Sequence, residues 1–487
     1  MQLCLEEIKK LATQFPVLPV SKEILADLKT PIGVLKTLKS VSSCCYLLES
    51  VTNSNQWGRY SFLGFDPLTE IKCKDGLLTI TNGASVTIST TEPNQYIRNI
   101  LAEYKSPRLP DLPPFTGGLI GYFAYDYSKY NEPTLNLTTN DAIGCNDMDL
   151  MLFDKVIAFD HHKQKIFLIV NIKTDDLETN YNRAQLELEH LAELIIKETP
   201  KIDTSGKLLT PFTAKYTAAE YEHLVNRAKL HIKEGDIFQV VPSNRQTASF
   251  SGSLLNAYRI LRTTNPSPYM FYLSGHAIEL IGASPETLVK LNNGDLATFP
   301  IAGTKPRGST TAEDQALEEA LLNDPKELSE HDMLVDLGRN DLGRVSEFGS
   351  VHVSNYRKVE RYSHVMHLTS TVTGKLKTGK DALDAIAATL PAGTLSGAPK
   401  IRAMEIIDSL EQECRGIYGG AIGYLDFTGN MDVCIAIRFA VKKQNKVYVQ
   451  SGGGIVMDSQ PQAEYQESLN KAQAVINALM QAQEVLD

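Results

Sequence analysis

Dipeptides that force a chain to reverse, Asp75-Gly76, Asn82-Gly83 and Asn293-Gly294, lie beside short alternating runs such as Leu77-Leu78-Thr79-Ile80-Thr81. Asn or Asp followed by Gly readily adopts the positive backbone angles of a two-residue hairpin turn, whose twist matches that of paired strands. Thr428-Gly429-Asn430 and Gln444-Asn445 repeat the signal between β-rich runs. A chain reversed this often builds antiparallel sheet, because parallel strands need a long crossover. Strands are expected at 118–123 and through 156–170, and helical periodicity appears at 93–105, 178–197, 312–323, 326–339, 380–389, 398–412 and 461–485. Thr217-Ala218-Ala219-Glu220 is a capping box that opens a further helix ending near Gly235. Hairpins outnumber βαβ units. The expected class is therefore α+β, with large antiparallel sheets packed as a β-sandwich, flanked by helices and arranged in two lobes. The polar, turn-rich stretch 198–207 is the candidate linker, separating an N-terminal region 1–205 from a second region 206–487.

At 487 residues the chain exceeds what a single hydrophobic core usually serves. Its net charge of −10, with no clustered Lys and Arg, argues against nucleic acid as a partner. A small anionic substrate then needs a locally positive pocket or a metal ion. The seven cysteines, Cys4, Cys44, Cys45, Cys73, Cys145, Cys414 and Cys434, form no Cys-x-x-Cys pair, which reads as reduced thiols in a cytoplasmic protein. With no signal-peptide pattern and no 18-residue apolar window, neither export nor membrane insertion is expected.

Two helical segments carry glutamates three residues apart, Glu327/Glu330 and Glu464/Glu467. Positions i and i+3 share a helix face, so two such helices meeting can offer four hard oxygen ligands to one cation. On pattern alone each pair more often describes a solvated helix face. Ser451-Gly452-Gly453-Gly454 follows an expected strand, and its glycines let backbone amides approach an anion closely. Pro391 to Lys400, with the Thr394 hydroxyl, and Pro300 to Gly308 are further small-residue loops. Neither GxxxxGK[ST] nor GxGxxG is present, which disfavours ATP and NAD. Glu286 and His367 are the candidate acid and base, although a lone histidine more often serves structure.

Taken together and in order, these segments resemble the chorismate-utilising enzymes, from about residue 217 to 480. Asp336-Leu337-Gly338-Arg339-Asn340-Asp341-Leu342 and Cys434-Ile435-Ala436-Ile437-Arg438 strengthen the likeness. The pattern is most similar to that of subunits making anthranilate for tryptophan biosynthesis. This resemblance implies that Glu330 and Glu467 bind Mg2+, supported by Glu327 and Glu464, and that the metal clamps the ring carboxylate of chorismate. It implies that Gly303, Thr304, Tyr418, Arg438, Gly452, Gly453, Gly454 and Lys471 hold the rest of the substrate. Arg438 suits the enolpyruvyl carboxylate, which its fork can bind bidentately. Glu286, with Thr394 nearby, matches the acid assisting departure of the C4 hydroxyl while ammonia attacks C2. His367 matches the base that removes the C2 proton as pyruvate leaves.

Two positions separate family members. Gln239 stands where isochorismate and salicylate synthases carry a water-activating lysine, and an amide cannot act as that base. Ala302 stands where many aminodeoxychorismate synthases carry a nucleophilic lysine, so direct amination is favoured. Nothing resembles a glutamine amidotransferase, which implies a separate glutaminase subunit to supply ammonia from glutamine. Leu47-Leu48-Glu49-Ser50 and Asn265 to Tyr272 resemble tryptophan-sensing elements. They imply an inhibitor pocket with Glu49 or Ser50 near the ammonium and the backbone of Pro268, Tyr269 and Met270 alongside. An aminodeoxychorismate synthase, or a catalytically silent tryptophan-binding subunit, remains the alternative reading.

Overall fold

In the computed structural model, residues 5–51, 58–137, 140–197, 205–361 and 365–485 are described. The turn chemistry operates as expected at two of the three Asx-Gly pairs, whereas at Asn82-Gly83 only Gly83 takes a positive φ, 69°. Asp75 and Gly76 take φ of 47° and 78°, and Asn293 and Gly294 take 55° and 83°, the doubly positive geometry of the tight hairpin turn. The first pair joins Thr69–Lys74 to Leu77–Asn82, and the second joins Thr287–Asn292 to Asp295–Thr298. Hairpins also form across Gly429 and Gln444, closing Ala421–Asp426 on Met431–Ile435 and Phe439–Lys443 on Lys446–Gly452.

The described strands assemble into two large antiparallel sheets of twelve strands each, with a small Gln239–Val240 and Gly397–Ala398 pair beside them. The first sheet runs from Val17–Leu25 through Cys45–Glu49, Tyr269–Ser274, Ile278–Ser284 and Phe439–Lys443 to Ser243–Gly252 and Gly206–Leu208. The second runs from Ile301–Pro306 through Val365–Lys375, Thr287–Asn292 and Ala421–Asp426 to Gly118–Phe123 and Ala84–Ser89. Strands from either side of residue 205 are mixed in both. Glu49 faces Met270 across one such join, and Gly121 faces Gly423 across another. The two regions therefore share their sheets. The candidate linker lies mostly at 198–204, outside the described residues.

Between the sheets, Tyr46, Phe62 and Phe271 of the first meet Leu119, Phe153 and Leu425 of the second in one apolar core. The rings of Tyr46 and Phe153 lie edge to face at 4.7 Å, a favoured aromatic arrangement. Helices cover the outer face of the first sheet. Leu35, Leu188, Leu255 and Val475 bury against Leu47, Leu63 and Ile281 there. Two of these helices, Pro31–Val41 and Leu255–Thr264, carry no expectation from periodicity. No helix among the described residues is long and apolar enough to cross a membrane.

Candidate active site

The helix Pro325–Gly343 begins at Asp324, whose carboxylate accepts hydrogen bonds from the amides of Lys326 and Glu327. It extends four residues beyond the expected end. The helix Pro461–Gln481 likewise opens on a proline, whose missing N–H costs nothing at that position. Glu327 and Glu330 on the first helix, and Glu464 and Glu467 on the second, line one cavity of about 760 Å³. Lys471, one turn beyond Glu467, pairs with it at 2.7 Å and donates to the Gly452 carbonyl at 3.1 Å.

The glycines explain how the glutamates reach this wall. A Cβ at Gly453 would stand 2.9 Å from Glu464 Oε2, and one at Gly303 would stand 3.1 Å from Glu327 Oε2. Gly303 also has φ of 65°, which a branched residue would resist. A Cβ at Gly454 would collide with the Gln239 amide at 2.2 Å. Burial, then the charge of Glu327, pushes the Glu330 carboxyl up. Burial, followed by the charge of Glu467, does the same to Glu464, with hydrogen bonding by Ser459 and the charges of Lys471 and Lys326 opposing. The wall thus concentrates carboxylates whose mutual repulsion a divalent cation would offset, and an all-oxygen donor set suits a hard ion such as Mg2+. Lys326 is a member of this wall that spacing does not reveal.

Glu286, His367, Gln239, Thr394, Tyr418 and Arg438 line the same cavity, with Gly303, Gly452 and Gly454. Burial lifts the Glu286 carboxyl to about 7, against the opposing hydrogen bond from Thr394 and the charge of Arg438. Thr394 Oγ1 donates to Glu286 Oε1 at 3.2 Å. His367 Nδ1 sits 2.9 Å from the Gly303 carbonyl. Only an N–H can bond there, so Nε2 is the basic nitrogen. Burial holds the imidazole below its ordinary value, which keeps it neutral near pH 7. Arg438 has φ of 51°, a left-handed conformation that a non-glycine residue adopts at a cost, and such strain gathers at functional sites. The Oε1 of Gln239 is buried without a hydrogen-bond partner. Thr304 belongs to the strand Ile301–Pro306, but its side chain lies outside the described residues.

A buried ion pair holds the far wall. Arg415, 2% exposed, donates to Glu411, to the Leu395 carbonyl at 2.6 Å and to the Val241 carbonyl at 2.5 Å. It thereby ties the loop bearing Thr394 to the strand bearing Gln239. Sequence reasoning misses it, because Arg415 lies beyond the end of the helix Lys400–Glu411, where a basic residue usually meets solvent.

The proposed inhibitor residues separate into two groups. Glu49 is buried and fully engaged, accepting from Ser61 at 3.0 Å, Tyr258 at 2.8 Å and Arg262 at 2.7 and 3.1 Å. Tyr269 is bonded to Thr287 and Asp432, and Met270 is in the core. Ser50 instead has a buried hydroxyl without a partner. Pro268 lines the large cavity together with Val51 and Asn265, and the Asn265 Nδ2 is also buried and unpartnered.

Comparison with known proteins places the chain in a family. The family model described as chorismate binding enzyme matches residues 44–477, so the chain belongs to that family, and the match reaches well into the first region. Within it, the chain is 47% identical to anthranilate synthase component 1 of Acinetobacter calcoaceticus, over 96% of this chain and 95% of that one. It is 44% identical to the same component of Acetivibrio thermocellus, over 99% of both. The crystal structure of anthranilate synthase component I from Streptococcus pneumoniae superposes with a TM-score of 0.76 at 40% identity, covering 93% of this chain and 98% of that one. The menaquinone-specific isochorismate synthase of Escherichia coli shares the fold at 20% identity, with a TM-score of 0.69 over 98% of this chain and 99% of that one.

Proposed function

We propose that the chain is the large subunit of an anthranilate synthase, converting chorismate and ammonia to anthranilate, pyruvate and water. The observation that carries this is a single cavity lined by a carboxyl that titrates near neutrality, Glu286, and a neutral imidazole, His367, together with Arg438 and the glutamate wall. Glu330 and Glu467 would hold Mg2+, with Glu327 and Glu464 in support, and the ion supplies positive charge to the ring carboxylate of chorismate. Arg438 binds the enolpyruvyl carboxylate, and Tyr418, Gly303, Thr304, Lys471 and the Gly452 to Gly454 amides hold the remainder. Protonated Glu286 gives its proton to the C4 hydroxyl, which departs as water while ammonia forms a bond to C2. Thr394 steadies the carboxylate left behind. The new C2 ammonium returns a proton to Glu286; His367 Nε2 then takes the C2 proton, the C3–O bond breaks with aromatisation of the ring, and the departing enolate gains a proton from the His367 imidazolium to become pyruvate.

Specificity for ammonia rests on Gln239, whose amide cannot deprotonate water, and on Ala302, which offers no nucleophile to C2. A glutaminase subunit would supply ammonia in the cytoplasm, in keeping with relatives named as component 1. Tryptophan would inhibit through the Ser50 and Pro268 to Met270 surface, with region 1–205 mainly regulatory and 206–487 mainly catalytic. Incubating the chain with chorismate, Mg2+ and an ammonium salt should give anthranilate fluorescence and one pyruvate per anthranilate, both lost with a chelator. An amino product that retains its enolpyruvyl group on chromatography would instead define an aminodeoxychorismate synthase. A thermal-shift titration with tryptophan tests the inhibitor site, and an unchanged melting temperature at saturation removes it.

A further inference from the structure

Away from the cavity, three donors of different chemistry converge. Cys44, just before the strand Cys45–Glu49, Glu70 on Thr69–Lys74, and His276 in the turn between Tyr269–Ser274 and Ile278–Ser284 bring thiol, carboxylate and imidazole atoms within 4.8 Å of one another. We propose that Cys44, Glu70 and His276 form a binding site for a borderline-soft divalent ion such as Zn2+, distinct from the carboxylate wall of the active site.

The surroundings of each donor suit that role. His276 Nε2 lies 3.1 Å from Glu70 Oε1, while its Nδ1 lies 3.3 Å from the Ser43 hydroxyl. A hydroxyl on Nδ1 fixes the ring and leaves Nε2 as the ligand nitrogen, the usual support for a metal-bound histidine. Lys72 occupies Glu70 Oε2 at 2.5 Å, leaving Oε1 facing the imidazole. Cys44 is buried, whereas the His276 side chain is 62% exposed, so an ion has a route in and a solvent-facing fourth position. Zinc bonds of about 2.0–2.3 Å in a tetrahedron require only a modest contraction of this cluster. Thiolate, carboxylate and Zn2+ sum to zero charge, and the Lys72 ammonium that also touches Glu70 is balanced by the neighbouring Asp149 carboxylate. Binding forms an S–Zn bond and releases the thiol proton to solvent. Mg2+, which prefers oxygen ligands, would not compete.

The site also has mechanical consequence. Cys44 and His276 adjoin paired strands of the first sheet and Glu70 lies in the second, so an ion would staple the sandwich at the end of the Cys45–Glu49 and Tyr269–Ser274 pair opposite Ser50 and Tyr269. The test is titration of the full chain with Co2+ in excess Mg2+. A thiolate-to-cobalt charge-transfer band saturating at one equivalent, and discharged by Zn2+, is expected, with a matching rise in melting temperature. His276→Ala, at an exposed position that should not disturb folding, should weaken or abolish the band, and Cys44→Ser should remove it. Glu330→Gln should leave it intact. A wild-type chain without the band, or a band undiminished in either Cys44→Ser or His276→Ala, overturns the proposal.

Discussion

Replacing Thr394 by Val removes the hydroxyl that donates to Glu286 Oε1 while preserving side-chain shape. Its hydrogen bond favours the ionised carboxylate, opposing the burial that lifts Glu286 to about 7. At 3.2 Å the contact is long for an O–H···O bond. The lower end of the range for bonds to charged groups, about 1.5 kcal/mol, is therefore appropriate. At 1.36 kcal/mol per unit, loss of the bond should carry the Glu286 carboxyl up by about one unit, to about 8. Because the proposed reaction uses the protonated form, the alkaline limb of kcat/KM should move to higher pH by the same amount. The assay is anthranilate fluorescence against pH, with total ammonium adjusted to hold the concentration of NH3 constant. Thr394→Ser should keep the wild-type limb. A limb that stays in place in Thr394→Val, or moves to lower pH, would refute either the tuning role of Thr394 or the assignment of the proton to Glu286.

Glu286→Gln should stabilise the fold at alkaline pH. Raised from 4.5 to about 7, the carboxyl is neutral in the folded state below its unfolded value. Stability is then lost as pH rises through about 7, by up to about 3 kcal/mol for 2.5 units. The variant should accordingly melt higher than wild type at about pH 9 and equally at about pH 4, and a gain at both would contradict the cause. Glu330→Gln removes a charged oxygen from the glutamate wall, so the Mg2+ concentration for half-maximal activity should rise at least about tenfold; unchanged metal dependence would remove Glu330 from the ligand set. Arg262→Ala leaves Glu49 buried with only Ser61 and Tyr258, and should cost about 3 kcal/mol in urea denaturation, part of which Glu49→Gln should restore in the double variant.

Local chemistry made the hairpins legible, since Asp75-Gly76 and Asn293-Gly294 need only their own backbone angles to turn the chain. Strand order was not legible. The pairing of Cys45–Glu49 with Tyr269–Ser274 spans more than two hundred residues, and no local pattern encodes such a partner. The glutamate pairs show the same division within the site. Their i, i+3 spacing places two carboxylates on one face, but whether that face meets solvent or a second glutamate helix depends on how Pro325–Gly343 and Pro461–Gln481 pack. Arg415 was hidden for the same reason, because burial of an i, i+4 pair is a property of the neighbours. Glu49 was legible as a distinctive residue, yet its three hydrogen-bonding partners come from Ser61, Tyr258 and Arg262, and these commit its carboxylate to the fold.

The strand registers bear on how an inhibitor at Ser50 and Pro268 would reach the chemistry. Tyr269 pairs with Ser284 and Gly282 with Phe439 in successive ladders. The residue before Tyr269 therefore borders the end of Ile278–Ser284 from which Glu286 emerges, and Phe439 directly follows Arg438. The Arg438 carbonyl accepts from the Ala283 amide at 3.0 Å, and the Glu286 carbonyl accepts from the Ile435 amide at 2.9 Å. A ligand displacing the Pro268 end of its strand would thus act on Glu286 and Arg438 through two adjacent main-chain ladders. Because those ladders bind the acid and the guanidinium to one strand end, inhibition by this route should lower turnover and chorismate affinity together. A regulator acting on the glutamate helices alone would instead alter metal dependence and leave the Glu286 pH limb in place.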